Sequence, residues 1–340
     1  MIYRSKAPLR IGLAGGGTDV SPYCDLYGGA ILNATISLSA YASIEPINEM
    51  AIIVEALDRN EQQKFNWAPQ LPIDGTLDLL KGVYNRIHKQ YGLPKTGFRL
   101  STFVDAPAGS GLGTSSTLMV AILGAFVEML KLPLGDYDIA HLAYEIERNE
   151  LGLAGGRQDQ YAATFGGVNY MEFMKDDKVI VNPLRIRPQY MHELENNLVL
   201  YFTSTSRESA SIIKEQVKNV NNKNSKSIDA MHQLKEQAHM MKEALLMGKL
   251  HEFGEILDFG FQQKRLMADN ISNSSIEEIY DAAKAAGATG GKISGAGGGG
   301  FMIFYCPGNS NYAVKKALLS FGGEVKKYSF IKYGLTSWTA

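Results

Sequence analysis

The spacing of apolar residues divides the chain into two halves. Alternating apolar and polar positions predict strands over residues 97–104 and 168–173, and apolar residues recurring every three to four positions predict helices over 77–91, 115–130 and 137–151. The pattern loses its period between Asp176 and Glu195, where Pro183 and Pro188 stand, and resumes over 197–203 as a buried strand that opens a second unit. Beyond it, helices are expected after Arg207, through Met247, over 250–269 and over 275–286, followed by glycines, a strand over 301–305, a helix over 311–320 and a final strand. Residues 219–227, polar and rich in Asn and Lys, read as an exposed turn between two of these helices. No repeat is evident. For 340 residues the pattern predicts two domains, 1–185 and 190–335, with a cleft between them where a small ligand would sit.

Composition narrows the partners. Lys plus Arg number 34 against 35 Asp plus Glu, so no net field draws the chain to nucleic acid or to an anionic membrane. The two cysteines, Cys24 and Cys306, are far apart and outside any C-x-x-C spacing, which argues against a disulfide framework or a zinc knuckle. The N-terminal residues lack the apolar core of a signal peptide, and no apolar run is long enough to span a bilayer, so a cytoplasmic protein is expected.

Three glycine-rich segments carry candidate chemistry. Pro107-Ala108-Gly109-Ser110-Gly111-Leu112-Gly113-Thr114-Ser115-Ser116 follows a predicted strand and runs into a predicted helix. Glycines let consecutive N–H groups turn toward an anion, and the helix N-terminus adds partial positive charge. The Thr114 and Ser115 hydroxyls can add a phosphate or Mg²⁺ contact. The Lys of a P-loop is missing. A second run, residues 290–300, holds a formal G-x-G-x-x-G at Gly295, Gly297 and Gly300. A helix is expected before it and a strand after it, the reverse of a dinucleotide fingerprint. Its glycines point instead to close backbone approach, by a ligand phosphate or by a neighbouring loop. The third segment, Ala7-Pro8-Leu9-Arg10-Ile11-Gly12-Leu13-Ala14-Gly15-Gly16-Gly17-Thr18-Asp19, sets one Arg inside an apolar strand. Arg10 needs a buried anion there, which a structural ion pair would also satisfy.

A kinase-type site needs held phosphates, a divalent cation and a carboxylate near the attacking hydroxyl. Asp159, just after Gly155-Gly156-Arg157-Gln158 at the expected start of a helix, is the candidate for that carboxylate. In the preceding helix Glu145 and Glu147 are two apart and fall on different faces, so only one can face the cleft.

In this order, the three segments with an Asp between them resemble the GHMP kinases along nearly the whole chain. The resemblance implies an α+β fold of two domains, with the active-site cleft between an N-terminal mixed α/β domain and a C-terminal ferredoxin-like α/β domain. It implies ATP and Mg²⁺ as cofactors and a sugar or sugar phosphate as partner, and leaves a homodimer open. It assigns Asp159 and Arg10 to catalysis, and Pro107, Gly109, Ser110, Gly111, Leu112, Gly113, Thr114, Ser115 and Ser116 to ATP. Ser115 and Glu147 are assigned to Mg²⁺, and Asp19, Gly16, Gly17, Arg157, Gly297 and Gly298 to the acceptor. Galactokinases carry Glu and His where Gly16 and Gly17 stand. With residues 27–35 and 156–160, the first segment is similar instead to the branch that phosphorylates the anomeric hydroxyl of a heptose 7-phosphate. A kinase of a free sugar such as fucose, or of another small alcohol, is the alternative.

Overall fold

The computed structural model describes residues 1–205 and 209–340; the start of the helix expected after Arg207 lies outside the described residues, which resume at Ser209. Among the described residues twelve strands form two sheets. The first contains β1 (Tyr3–Ala14), β2 (Gly29–Ile47), β3 (Ala51–Ala56), β4 (Glu61–Asn66), β5 (Gly97–Val104), β6 (Val168–Phe173), β7 (Val179–Pro183) and, from the far end of the chain, β12 (Thr336–Thr339). Its main path runs β12-β1-β2-β5-β3-β4, and β6 extends from the first part of β2 with β7 beyond it. The second sheet joins β8 (Leu198–Phe202), β9 (Gly290–Ile293), β10 (Phe301–Tyr305) and β11 (Glu324–Lys326) in the order β11-β8-β10-β9. Helices lie between β8 and β9 and between β10 and β11, which is the split βαβ, ferredoxin-like arrangement.

Most predicted elements stand within one or two residues of their expected ends, because their apolar period is unbroken. The helix Thr114–Leu130 is buried on nearly every side, since it packs on β1 and β2 and is covered by the helix Gln158–Phe165 and by β12. Four expectations are corrected. The helix expected over 250–269 ends at Lys264. The aperiodic stretch 176–195 holds β7 and most of the helix Pro188–Asn197, short elements whose exposed faces carry little period. The loop after the second-half helix Ser209–Asn221 is only three residues long before the next helix begins at Ser225. The late glycine run is entered from a strand, β9, formed by its own first residues; no helix follows it, so it is the turn of a β9–β10 hairpin.

The two sheets share a core. One apolar cluster joins Leu9, Ile11 and Leu32 of the first sheet to Leu200, Phe301 and Ile303 of the second and to Met241 and Leu257 of helices between them. Cys24 and Cys306 are buried free thiols. Among the described residues no helix is long and apolar enough to cross a membrane.

Candidate active site

A cavity of about 520 Å³ opens where the end of β1, the loop before the helix Thr114–Leu130 and the β9–β10 turn converge. Arg10 is aimed into it by an irregularity: between Pro8 and Arg10 the β1–β2 register slips, and the freed Arg10 amide donates to Leu112 O at 3.2 Å. Its guanidinium is 4% exposed and places Nε and Nη2 each 2.6 Å from Asp159 Oδ1, while Nη1 donates to Gly111 O at 2.6 Å. One arginine thus ties the glycine loop to the carboxylate. Among the described residues no hydrogen bond falls on Asp159 Oδ2.

Asp159 occupies the first turn of the helix Gln158–Phe165, and Asp19 holds that helix end. Asp19 Oδ2 accepts from the amides of Arg157 at 2.9 Å and Gln158 at 3.0 Å, and Oδ1 from Gln158 Nε2 at 3.2 Å. A side chain at position 156 would collide with that carboxylate, 2.0 Å from its Oδ2, so only glycine fits there. Burial pushes the Asp19 carboxyl above the usual range, and the Asp159 charge adds to this against the lowering effect of the Gln158 amide.

The loop itself has the geometry to cradle an anion. The amides of Gly109, Gly111, Leu112 and Gly113 have no hydrogen-bond partner among the described residues, and Gly113, at φ 78°, leads into the N-terminus of the helix Thr114–Leu130. Gly113 also lets Asp159 close in, since a Cβ there would stand 3.0 Å from Asp159 Cγ.

Glu147 faces the cavity and Glu145 does not. The helix Asp136–Tyr144 continues as a π-helical turn, Glu145–Glu150, a form frequent at functional sites. Glu145 turns out to pair with Arg86 at 2.7 Å, while Glu147, 1% exposed, accepts from Gln160 Nε2 at 2.7 Å and meets Arg148 at 3.2 Å. The same Gln160 amide donates to Ser116 Oγ at 3.1 Å, which sets Glu147 beside the first turn of the phosphate-loop helix. With Ser115 on the same cavity wall, the donors are a hydroxyl and one carboxylate. This fits Mg²⁺, which takes one or two carboxylates and completes its shell with phosphate oxygens and water. Among the described residues no group of three or more His, Cys, Asp or Glu is arranged to cage a metal.

Of the residues singled out from the sequence, Arg10, Gly16, Gly17, Asp19, Gly109, Gly111, Gly113, Thr114, Ser115, Ser116, Glu147 and Asp159 line this cavity. Pro107, Ser110, Leu112, Arg157, Gly297 and Gly298 do not. Leu112 is a core side chain, and Ser110 is buried with its carbonyl accepting from Phe301 N. Gly298 donates to Ile271 O, and Gly297 packs against the same residue. Arg157 turns away to Asp177 at 2.8 Å and to Asp25 and Ser21 at 3.1 Å, beside a smaller adjoining cavity of about 240 Å³.

Lys264 was not expected at the site. It ends the helix Leu250–Lys264, is 3% exposed and donates to Gly295 O. Its sequence signal is position: three after Phe261 and seven after Leu257, it lies on the buried stripe of an amphipathic helix, where a lysine is out of place. Lys292, 5% exposed on β9, donates to Gly12 O at 2.9 Å. Burial, with Arg10 nearby, lowers Lys264 to about 8; burial and the neighbouring Lys264 hold Lys292 well below the usual lysine range.

Comparison with known proteins agrees with this geometry. Residues 78–167 match the model of the GHMP kinases N terminal domain, and residues 241–324 that of the GHMP kinases C terminal domain. The chain is 47% identical over 335 residues to D-glycero-alpha-D-manno-heptose 7-phosphate kinase of Campylobacter jejuni, covering 98% of each protein. The crystal structure of a D-glycero-D-manno-heptose 1-phosphate kinase from Bacteroides thetaiotaomicron superposes with a TM-score of 0.85 at 47% identity, covering 99% of each chain. The L-fucokinase/L-fucose-1-P guanylyltransferase of Bacteroides fragilis is 27% identical over 87% of this chain, which spans 34% of that longer protein.

Proposed function

The chain belongs to the GHMP kinases and is a phosphotransferase with an alcohol group as acceptor; from that premise we propose that it moves the terminal phosphate of ATP to the anomeric hydroxyl of D-glycero-D-manno-heptose 7-phosphate, giving the 1,7-bisphosphate. The observation that carries the chemistry is Asp159, clamped through Oδ1 by Arg10 at the rim of the phosphate loop with Oδ2 left for a hydroxyl. The 47% identity to the Campylobacter jejuni enzyme supports the choice of acceptor.

In this reading the unpartnered amides of Gly109, Gly111, Leu112 and Gly113 and the helix N-terminus after them hold the ATP phosphates. Ser115 and Glu147 would hold Mg²⁺, which would neutralise negative charge on the phosphates. Asp159 accepts a hydrogen bond from the anomeric hydroxyl, aligns its oxygen with the γ-phosphorus and takes the proton as the new P–O bond forms and the bond from the γ-phosphorus to the bridging oxygen breaks, leaving ADP. A carboxylate held in place suffices where the transition state is loose and positioning does most of the catalysis. Asp19 positions Asp159 by fixing its helix end, while Gly16 and Gly17 leave room for the sugar. The loop and the acid belong to an N-terminal domain, 1–185, and the second cavity wall to a C-terminal domain, 190–335.

The two relatives are named for acceptors phosphorylated at different carbons. The test is therefore ADP release with heptose 7-phosphate, heptose 1-phosphate, free heptose and L-fucose, with phosphorus NMR of the product. A new anomeric phosphate formed from the 7-phosphate in preference to the others is expected. Equal or better use of fucose, free heptose or the 1-phosphate overturns the assignment.

A further inference from the structure

We infer that Lys264 and Lys292 form the subsite for the acceptor's second phosphate, the one that is not transferred. The inference rests on the reading of the acceptor as a phosphorylated sugar.

Three buried lysines show why these two are unusual. Lys81, with no exposure, is neutralised by Asp74 at 2.5 Å and Asp78 at 3.0 Å and is a structural ion pair. Lys264 and Lys292 make no ion pair among the described residues. Each gives one hydrogen bond to a backbone carbonyl, Gly295 O and Gly12 O, so two of the three donors of each ammonium remain. Both line the cavity and flank a single glycine: a Cβ on Gly16 would lie 3.7 Å from Lys264 Nζ and 3.9 Å from Lys292 Nζ.

Among the described residues no carboxylate pairs with either lysine, and Asp19 offsets the lowered basicity of Lys264 only in part. Asp159 is taken by Arg10, and both Asp19 oxygens accept from the start of the helix Gln158–Phe165. Unpaired buried charge is unfavourable and is retained where a counter-ion enters. A phosphate dianion supplies the missing charge and enough oxygens for the idle donors. Its arrival would also reverse the depressed basicity of both lysines. The ammoniums face Gly16, in the segment that follows β1, whereas the free amides of the ATP cradle lie at 109–113. Two anions thus have separate seats in one cavity.

The experiment measures kcat/KM for heptose 7-phosphate and for free heptose in the wild type, Lys264→Met and Lys292→Met. Methionine keeps the volume and removes an unpaired buried charge, a change that cores tolerate. The wild type should prefer the phosphorylated sugar by about a hundredfold or more. Each variant should lose about tenfold or more on heptose 7-phosphate and less than about threefold on free heptose. A wild type without preference defeats the acceptor assignment itself. A wild-type preference that survives in both variants, or equal losses on both sugars, as expected if the lysines hold the transferred phosphate, overturns the subsite. If either methionine variant fails to fold, the glutamine variant replaces it. Inorganic phosphate must also compete with heptose 7-phosphate in the wild type and at least about tenfold more weakly in the variants; unchanged competition overturns the subsite as well.

Discussion

Two glycine-rich turns meet at this site and do different things. Among the described residues the turn at 107–113 leaves the amides of Gly109, Gly111, Leu112 and Gly113 unpartnered, and it lines the cavity with Gly109, Gly111 and Gly113. The turn at 294–300 is richer in glycine yet contributes only Gly295 and Ala296 to the cavity wall. The rest of it is packed: Gly298 and Gly300 donate to Ile271 and Thr205, and a Cβ at 300 would stand 2.4 Å from Ser110 O. Glycine richness therefore reports close backbone approach, and what approaches is decided by the next element. A helix N-terminus after the first turn leaves amides that suit an anion; the return strand of a hairpin after the second makes a wall that braces the first.

Substitutions at the two turns should separate these roles. The largest effect is expected beside the first turn, where Asp159→Asn should lower kcat by about a hundredfold or more and leave nucleotide affinity intact, because the carboxylate meets the acceptor and not ATP. Turnover within a few-fold of the wild type would remove Asp159 from the chemistry. At the second turn the expected loss is stability. Gly297 has φ 123° and a Cβ there would lie 2.8 Å from Ile271 O, so Gly297→Ala should cost about 2 kcal/mol or more and lower Tm by roughly 5 °C. If the folded variant instead kept its Tm and lost nucleotide affinity, the contrast between the turns would fail.

Smaller effects sharpen the first turn's role. Ser115→Ala and Glu147→Gln should each raise the Mg²⁺ concentration for half-maximal rate by about tenfold, since each removes a hard oxygen donor. Activity titrations that leave this concentration unchanged in both would place the ion elsewhere. The smallest expected signal is in the pH dependence of stability. With Lys264 at about 8 when folded against an ordinary 10.5, both states hold its proton below about pH 8 and the cost of burying the charge is fully present. Between about 8 and 10.5 the unfolded chain binds the proton that the folded chain lacks, so this group's contribution to stability rises with pH and then levels. Thermal melts of Lys264→Met should show a Tm advantage over the wild type at pH 7.5 that shrinks toward pH 10. Parallel curves would contradict the depressed basicity.

Elements with an unbroken apolar period were legible to within a residue or two, as the helix Asp78–Tyr91 and the strands Gly97–Val104 and Phe301–Tyr305 illustrate. The glycine loop and Asp159 stood out as candidates because strand, glycines and helix start are consecutive and Asp159 follows a glycine pair at a helix start, and the fold sets both on one cavity wall. Short elements with exposed faces, β7 and the helix Pro188–Asn197, carried too little period to read. Arg157 was placed on the acceptor because it neighbours Asp159. Residues two apart at a helix start do not share a face, and Asp25, Asp177 and Ser21 claimed its guanidinium.

By itself the sequence determined what spacing can encode: the period of each element, the backbone freedom of the glycine turns, and the need of Arg10 for a buried anion. Tertiary structure alone decided which partner met each need. That Arg10 found Asp159, 149 positions away, depended on a register slip between β1 and β2. The choice of Glu147 over Glu145 depended on a π-helical turn and on Gln160 and Arg86 from other helices. Lys264 and Lys292 came to flank Gly16 because the second sheet and its helices share a core with the first. Such contacts join residues far apart along the chain, and their geometry is set by the packing of whole elements, which local spacing does not specify.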